Sequence, residues 1–317
     1  MLFRSDGLRC VYHGIKFDVA GNCTDVPCIP QGTPEQMANV RKALKIKSYP
    51  CVERGDVVWT YMGPPELKPA FPDLEWANLP ASHRFATRHV QECNWLQGLD
   101  GGFDPAHLSF LHSGAVDMRK GNTDHDRRVV PSLLETEETD SGFMFGAGRR
   151  LADGRSTWHV EIMILPFHKI IPSVPLAAHV WAPIDDHNTI TYIIEAVETE
   201  GGQPGAVRTE ELKVYAPGEY ERVEDGWWGV ASHDQDRMAQ ESQGVIVDRT
   251  QETLATSDRG VAMLRQMLFT GLEDIAAGRD PMGVVRDPAG SNVIVFDAQK
   301  NFTDIDKNHA GQTLART

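Results

Sequence analysis

From Ser141 onward the chain adopts a rhythm of two. The runs SGFMFGAGRR (141–150), STWHVEIMILPF (156–167) and LAAHVWAPIDDHNTITYIIEAV (176–197) alternate apolar and polar residues, as a strand with one buried face requires. Asp185-Asp186-His187-Asn188 supplies a turn inside the last run, so these segments predict one antiparallel sheet. Near the start, GLRCVYHGIKFDVAGNCTDVPC alternates around Gly7, Gly14 and Gly21 and predicts short strands joined by tight turns. RKALKIKSYPCVERGDVVWTYMG predicts two further strands about a Glu53–Asp56 turn, with Gly32–Asn39 as a polar loop before them.

Helical spacing appears in three places. HRFATRHVQECNWLQGLDGG (83–102) reads as a strand leading into a helix. SHDQDRMAQESQGVIVDRTQETL (232–254) and GVAMLRQMLFTGLEDIAAGRD (260–280) predict two late helices, the second amphipathic and packed on the core. Residues 292–317 read as a peripheral tail. The four prolines of PPELKPAFPDLEW (64–76) mark a linker, which divides the chain into residues 1–80 and 81–317. A sheet followed by helices makes the fold class α+β.

Composition narrows the partners. A formal net charge of −14 argues against nucleic acid, whose phosphates need a basic surface. No apolar run approaches the roughly 18 residues of a membrane span, and no secretory core of roughly 7–15 residues opens the chain, so the expected location is cytoplasmic. Five cysteines (Cys10, Cys23, Cys28, Cys51, Cys93) are few and odd in number, which favours free or metal-bound thiols over a disulfide framework. No dinucleotide fingerprint or phosphate loop occurs. Lys42, Lys45 and Lys47 read as a protected strand edge, or as a docking patch for an acidic electron donor.

The densest chemistry lies in NWLQGLDGGFDPAHLSFLHS (94–113), which holds Asp104, His107 and His112. Two neutral imidazoles and a carboxylate suit a borderline divalent metal. Asp104-Pro105 is also an ordinary helix start, with Asp as N-cap and Pro at the first position. On a regular helix at ~100° per residue, His107 and His112 would stand ~140° apart, so a shared metal requires an irregular turn, a kink or a π-bulge there. His89 stands alone and reads as structural.

RCVYHGIKFDVAGNC, with Cys10-x2-His13-Gly14, resembles the second ligand loop of a Rieske iron–sulfur domain. N-x2-Q-x6-D-x2-H-x4-H further on resembles the iron motif of Rieske non-haem iron oxygenase alpha subunits, nearest the phthalate-dioxygenase-like, aromatic-ring-hydroxylating group. The resemblance covers nearly the whole chain. It implies a partial Rieske β-domain followed by a helix-grip, START-like catalytic domain. It makes Cys10 and His13 ligands of a [2Fe–2S] cluster, whose set is two Cys and two His. The nine residues before Cys10 hold no C-x-H pair, so the expectation is that the sequence starts inside its Rieske domain.

The resemblance further implies that His107 and His112 bind mononuclear Fe(II), that Asp104 bridges to a Rieske histidine of the next subunit, and that Asn94 stands near the iron. The third ligand is expected in a D-x4-E pattern, which Asp236 and Glu241 match; Asp234 is the reserve, and Asp248 a solvated charge. Ile162, Ile164, Phe167, Val180 and Trp181 are candidate pocket liners, and Arg149 and Arg150 candidate binders of a substrate carboxylate. The implied protein is the oxygenase component of a ring-hydroxylating or demethylating system, a dioxygenase or monooxygenase of aromatic catabolism. It would use O2, electrons from NAD(P)H through a separate reductase, and a homotrimeric or higher assembly. The alternative is a non-catalytic START-like ligand-binding remnant that has lost its Rieske half.

Overall fold

The computed structural model describes residues 2–4, 7–29, 32–112, 129–150, 152, 156–172, 176–196, 219–222, 229–287 and 289. Ser113 and the tail at 292–317 lie outside the described residues. The chain forms two units, Met1–Glu53 with Val58–Lys68, and Arg54–Val57 with Pro69–Thr317.

In the first unit, β1 (Leu2–Arg4), β2 (Gly7–Arg9), β3 (Lys16–Phe17) and β4 (Cys23–Asp25) form a four-stranded antiparallel meander. The Asp18 carboxylate accepts from the Ala20 and Asn22 amides and closes the β3–β4 turn. The expected polar loop at Gly32–Asn39 is instead the start of helix α1 (Pro34–Ala43). Its cause is local: Thr33 caps the Gln36 amide, Gln36 reaches back to the Thr33 amide, and Pro34 opens the first turn. The helix also claims Lys42, and Lys45 joins only an isolated bridge to Asn22, so these exposed lysines do not line a strand edge. The second strand pair is shorter than expected, β5 (Cys51–Arg54) and β6 (Val57–Thr60), turning at Gly55-Asp56. Cys23 is buried and Cys28 is exposed.

The division falls at Lys68 rather than near residue 80. Within the second unit Leu74 and Trp76 are buried, and the Arg84 guanidinium holds Asp56 at 3.0 Å and the Ala77 carbonyl at 3.0 Å. The proline segment therefore belongs largely to this unit, with the short helix α2 (Glu75–Asn78) inside it.

The core of the second unit is a seven-stranded sheet. In chain order its strands are β7 (Arg84–Gln91), β8 (Leu133–Thr139), β9 (Gly142–Arg150), β10 (Ser156–Ile164), β11 (His168–Ile171), β12 (Leu176–Pro183) and β13 (Thr189–Ala196). They pair antiparallel in the order β7-β13-β12-β11-β10-β9-β8, as the alternation required. The Asp185 carboxylate accepts from the His187 and Asn188 amides and makes the expected turn.

Three helices accompany the sheet: α3 (Trp95–Gly102), α4 (Ser232–Ser242) and α5 (Arg259–Ala276). Val261, Leu264 and Met267 of α5 join Leu99 and Phe103 from α3 and its end, and Phe143, Phe145, Met163 and Trp181 from the sheet, in one buried cluster. This is a sheet gripping a long helix. The first late helix stops at Ser242, well short of the expected Leu254, because Gly244 turns the backbone to φ +91°. Asp248 is the cap of a 3-10 turn at Arg249–Gln251, not a helix-surface charge.

Candidate metal centre

Asp104 does not start a regular helix. Its Oδ1 accepts from the Ala106 amide at 2.8 Å, and the chain then makes a single 3-10 turn, His107–Ser109. The Phe110 and Leu111 amides both bond to the His107 carbonyl, at 3.0 and 2.7 Å. This is the irregular turn that the H-x4-H spacing required, and it brings the two imidazoles to 5.2 Å between ring centroids.

Asp236 arrives from the first turns of α4. Its Oδ1 lies 3.0 Å from His112 Nε2 and 3.6 Å from His107 Nε2. One ligand atom from each of the three residues falls within 4.8 Å of the others. Asp236 keeps 45% of its side-chain surface accessible, so its carboxylate is not sealed off by the two imidazoles. Burial raises its carboxyl, but the His112 hydrogen bond and both imidazoles outweigh it and hold the group well below the usual range. His107 is pushed the other way: burial lowers it, and Asp104 and Asp236 more than offset that. Asp104, whose Oδ2 is 3.5 Å from His107 Nδ1, is held down by the same imidazole against its own burial.

The other carboxylates of α4 have structural duties. Asp234 is buried and accepts from the Glu221 amide at 2.7 Å and from Arg237 Nε at 3.3 Å. Glu241 accepts from the Glu92 amide at 2.9 Å and the Tyr220 hydroxyl at 2.6 Å, so the second acid of D-x4-E docks the helix rather than a metal.

Asn94 is also structural. Its Oδ1 caps the Leu96 amide and its Nδ2 donates to the Asp186 carbonyl, which fixes it at the N-terminus of α3. Eight helical residues of about 1.5 Å rise each separate it from the Asp104 end of α3. His89 lies on β7 opposite Thr191, outside the trio.

Two residues to which the sequence reading assigned no role shape the site. Gln97 is buried and its amide ties α3 to the end of α4: Nε2 donates to the Gln240 and Gly244 carbonyls at 3.2 and 2.9 Å, and Oε1 accepts from the Val247 amide at 3.0 Å. Lys169 lies on β11 opposite His179, with Nζ 2.7 Å from the buried Glu161. Burial raises Glu161, yet Lys169 and His159 bring it down to about 2, so it is charged. The His179 imidazole beside it is lowered to about 4 by burial and is neutral at pH 7.

Register shows which face carries the site. Met163, Lys169, His179, Ile193 and Thr87 run across the sheet in register, hence on one face. Trp181 shares it, and α3 lies on it: a Cβ at Gly98 would come 2.4 Å from the Trp181 ring, and one at Gly102 3.1 Å from Lys169 Cδ. Ile162, Ile164 and Val180 alternate to the opposite face, where they are buried as core, so of the expected liners Trp181 is on the site's face and these three are not. Arg149 is buried too, but it donates to the Val129 carbonyl at 2.9 Å and the Pro105 carbonyl at 3.4 Å, which braces the loop before His107. Arg150 is exposed at the end of β9. Arg149 shares the face of Met163 and Lys169, but its guanidinium is engaged with the Val129 and Pro105 carbonyls, whereas Lys169 lies beneath α3.

In the first unit, Cys10 and His13 flank a tight turn closed by the Gly14 amide on the Cys10 carbonyl at 2.9 Å, with Gly14 at φ +73°. Arg9 donates to the Gly14 carbonyl at 2.5 Å and pairs with Asp25 at 2.8 Å, which braces the loop. The Tyr12 and His13 amides aim at the Cys10 sulfur and hold its thiol below the usual range.

The family described as "LigXa C-terminal domain like" matches residues 60–211. The 5,5'-dehydrodivanillate O-demethylase oxygenase subunit of Sphingobium sp. (strain NBRC 103272 / SYK-6) is 31% identical over 303 residues, covering 92% of this chain and 68% of that protein. The chain belongs to the Rieske non-haem iron oxygenases. The phthalate 4,5-dioxygenase oxygenase subunit of Pseudomonas putida is 29% identical, over 93% of this Rieske oxygenase subunit and 73% of that protein. Among solved structures, Pseudomonas putida CBB5 NdmA with caffeine matches with a TM-score of 0.58 at 17% identity, covering 90% of this chain and 79% of that one, a likeness of fold. The Rieske oxygenase subunit is thus an oxidoreductase that acts with O2, and the non-catalytic remnant is set aside. Its family uses a mononuclear iron and a Rieske cluster. Two imidazoles and one carboxylate fit the iron; Cys10 and His13 offer one thiolate and one imidazole, half of a cluster's four ligands. No helix among the described residues is long and apolar enough to cross a membrane.

Proposed function

We propose that His107, His112 and Asp236 hold the catalytic Fe(II), and that the protein inserts oxygen from O2 into an aromatic acid. The observation that carries the reading is the meeting of these three ligand atoms within 4.8 Å, from a loop and a helix more than a hundred residues apart. Iron held by two His and one carboxylate on one face supplies open positions for O2. Asp104, beside His107 Nδ1, is the residue through which electrons reach this site from a neighbouring subunit, in a trimer or higher assembly. Cys10 and His13 are cluster ligands, and a separate reductase draws the electrons from NAD(P)H.

An acid as substrate rests on two supports. Relatives include a 3-chlorobenzoate-3,4-dioxygenase oxygenase subunit and a phenoxybenzoate dioxygenase subunit alpha. Lys169 is a buried cation on the face beneath α3, with one N–H on Glu161 and its charge felt at both Asp236 and His107. Whether the product is a diol, a phenol or a demethylated ring is chosen by the pocket and not by the ligands.

Iron content of the purified protein tests the ligand set. His107→Ala and Asp236→Ala are expected to lose the mononuclear iron and turnover, while Asp234→Asn keeps the iron. Full iron in Asp236→Ala, or its loss only in Asp234→Asn, overturns the assignment.

A further inference from the structure

The two imidazoles of the trio face Asp236 through the same atom, Nε2, which leaves both Nδ1 atoms turned outward. For His107 the outward atom meets Asp104. For His112 it meets Gln235, the residue immediately before Asp236: His112 Nδ1 and Gln235 Oε1 are 2.9 Å apart. The roles in that contact are fixed by the other end of the amide. Gln235 Nε2 lies 3.1 Å from the Val230 carbonyl, which can only accept, so the nitrogen must face Val230 and the oxygen must face His112. An amide oxygen can only accept. His112 therefore carries a proton on Nδ1.

We propose that Gln235 is a positioning residue for His112, which locks the imidazole in the tautomer and ring angle that present Nε2 to a metal beside Asp236. The inference rests on the reading of the trio as the iron site. A ligating histidine whose second nitrogen is fixed by an acceptor is oriented before the metal arrives, and loss of such an acceptor typically costs about 10–100-fold in affinity. Burial holds the amide in place, since Gln235 keeps 1% of its surface and Val230 keeps none. Consecutive residues of α4 thus address opposite edges of one ring, Gln235 at Nδ1 and Asp236 at Nε2. A turn of the helix that misplaced one would misplace the other.

Cobalt(II) is a suitable probe, since it takes the same ligands and its paramagnetism shifts the N–H protons of bound imidazoles out of the crowded spectrum. In the full chain loaded with cobalt, two such exchangeable resonances are expected, from His107 and His112, each protected from water by its acceptor. Gln235→Leu is expected to bind cobalt about 10–100-fold more weakly and to lose protection of one resonance only. Gln235→Glu, which keeps an acceptor for Nδ1–H, is expected to restore the protected resonance and most of the affinity. Melting of the metal-free variants separates a folding defect from loss of positioning, because Gln235→Glu loses the Val230 bond as Gln235→Leu does. Equal cobalt affinity and two protected resonances in Gln235→Leu overturn the proposal. So does a Gln235→Glu variant as weak as Gln235→Leu. If His112→Ala binds cobalt as tightly as the parent, the iron-site reading itself fails, and the proposal with it; if His112→Ala loses the metal but Gln235→Leu does not, only the role of Gln235 fails.

Discussion

Chemistry at the level of single residues turns on which polar group has a second duty. Asp234, Asp236 and Glu241 look alike along the sequence, and the D-x4-E pattern picked Asp236; the structure gives the reason, since Asp234 and Glu241 are occupied with backbone amides, Arg237 and Tyr220. Gln235 was illegible, because a glutamine between two aspartates reads as a spacer until the helix meets His112. Asn94 shows the converse: a motif position that the resemblance places near the iron also serves as the cap of a helix. Lys169 could not be told from any strand lysine without the register that turns it under α3. Its substitution makes a sharp test. Lys169→Met alone strands the buried Glu161 carboxylate and is expected to cost about 3–5 kcal/mol of stability. The pair Lys169→Met, Glu161→Gln should recover most of that in a denaturant titration, yet raise KM for an aromatic acid about 10–100-fold, the worth of a charged hydrogen bond. An unchanged KM in the stable pair would remove Lys169 from substrate binding.

Elements were legible where one face is buried and the period is clean. Strands β7, β9, β10, β12 and β13 and the amphipathic helix α5 follow from alternation and helical spacing and form, while β8 and β11 lie outside the runs read as strands. Helix α1 was missed because none of its residues is buried, which leaves no core-facing stripe to read; its capping box, not periodicity, was the available signal. Which side of a strand faces the site was not legible, because β9 is buried at every position from Gly142 to Arg149, on both faces. Helix α3 has a telling composition, with Gly98, Gly101 and Gly102 in eight residues. Helix propensity alone says Gly98→Ala should stabilise by about 1 kcal/mol. Here a Cβ would come 2.4 Å from the Trp181 indole, so the helix or the ring must move. Gly98→Ala is therefore expected to lower Tm and to weaken iron binding, since α3 leads directly into Asp104 and His107. A rise in Tm with unchanged iron content would show that close seating of α3 does not matter.

Across the second unit, the trio of His107, His112 and Asp236 is assembled from segments far apart in sequence, and polar ties hold them in register. Asp100 on α3 takes Arg265 of α5 through both oxygens, at 3.2 and 2.7 Å, and Arg249 at 2.6 Å; Arg265 also grips Glu252. Gln97 and Gln91 bind Gln240 from the other side. A metal that joins the His107 turn to α4 adds to these ties and binds only the folded state, so it must raise stability by mass action. Chelation of the iron is expected to lower Tm in the parent protein and to leave the Tm of Asp236→Ala unmoved; equal shifts in both would place the iron elsewhere. None of these long-range ties could be read along the chain. What could be read was the candidate trio, because His107, His112 and Asp236 matched a motif whose spacing the fold then had to satisfy. Anomalous diffraction at the iron edge, from crystals of the iron-loaded protein, locates the metal without reference to activity. One mononuclear peak is expected within bonding reach of His107 Nε2, His112 Nε2 and an Asp236 oxygen. A peak bound by Asp234 or by other side chains, with Asp236 unligated, would contradict that ligand set.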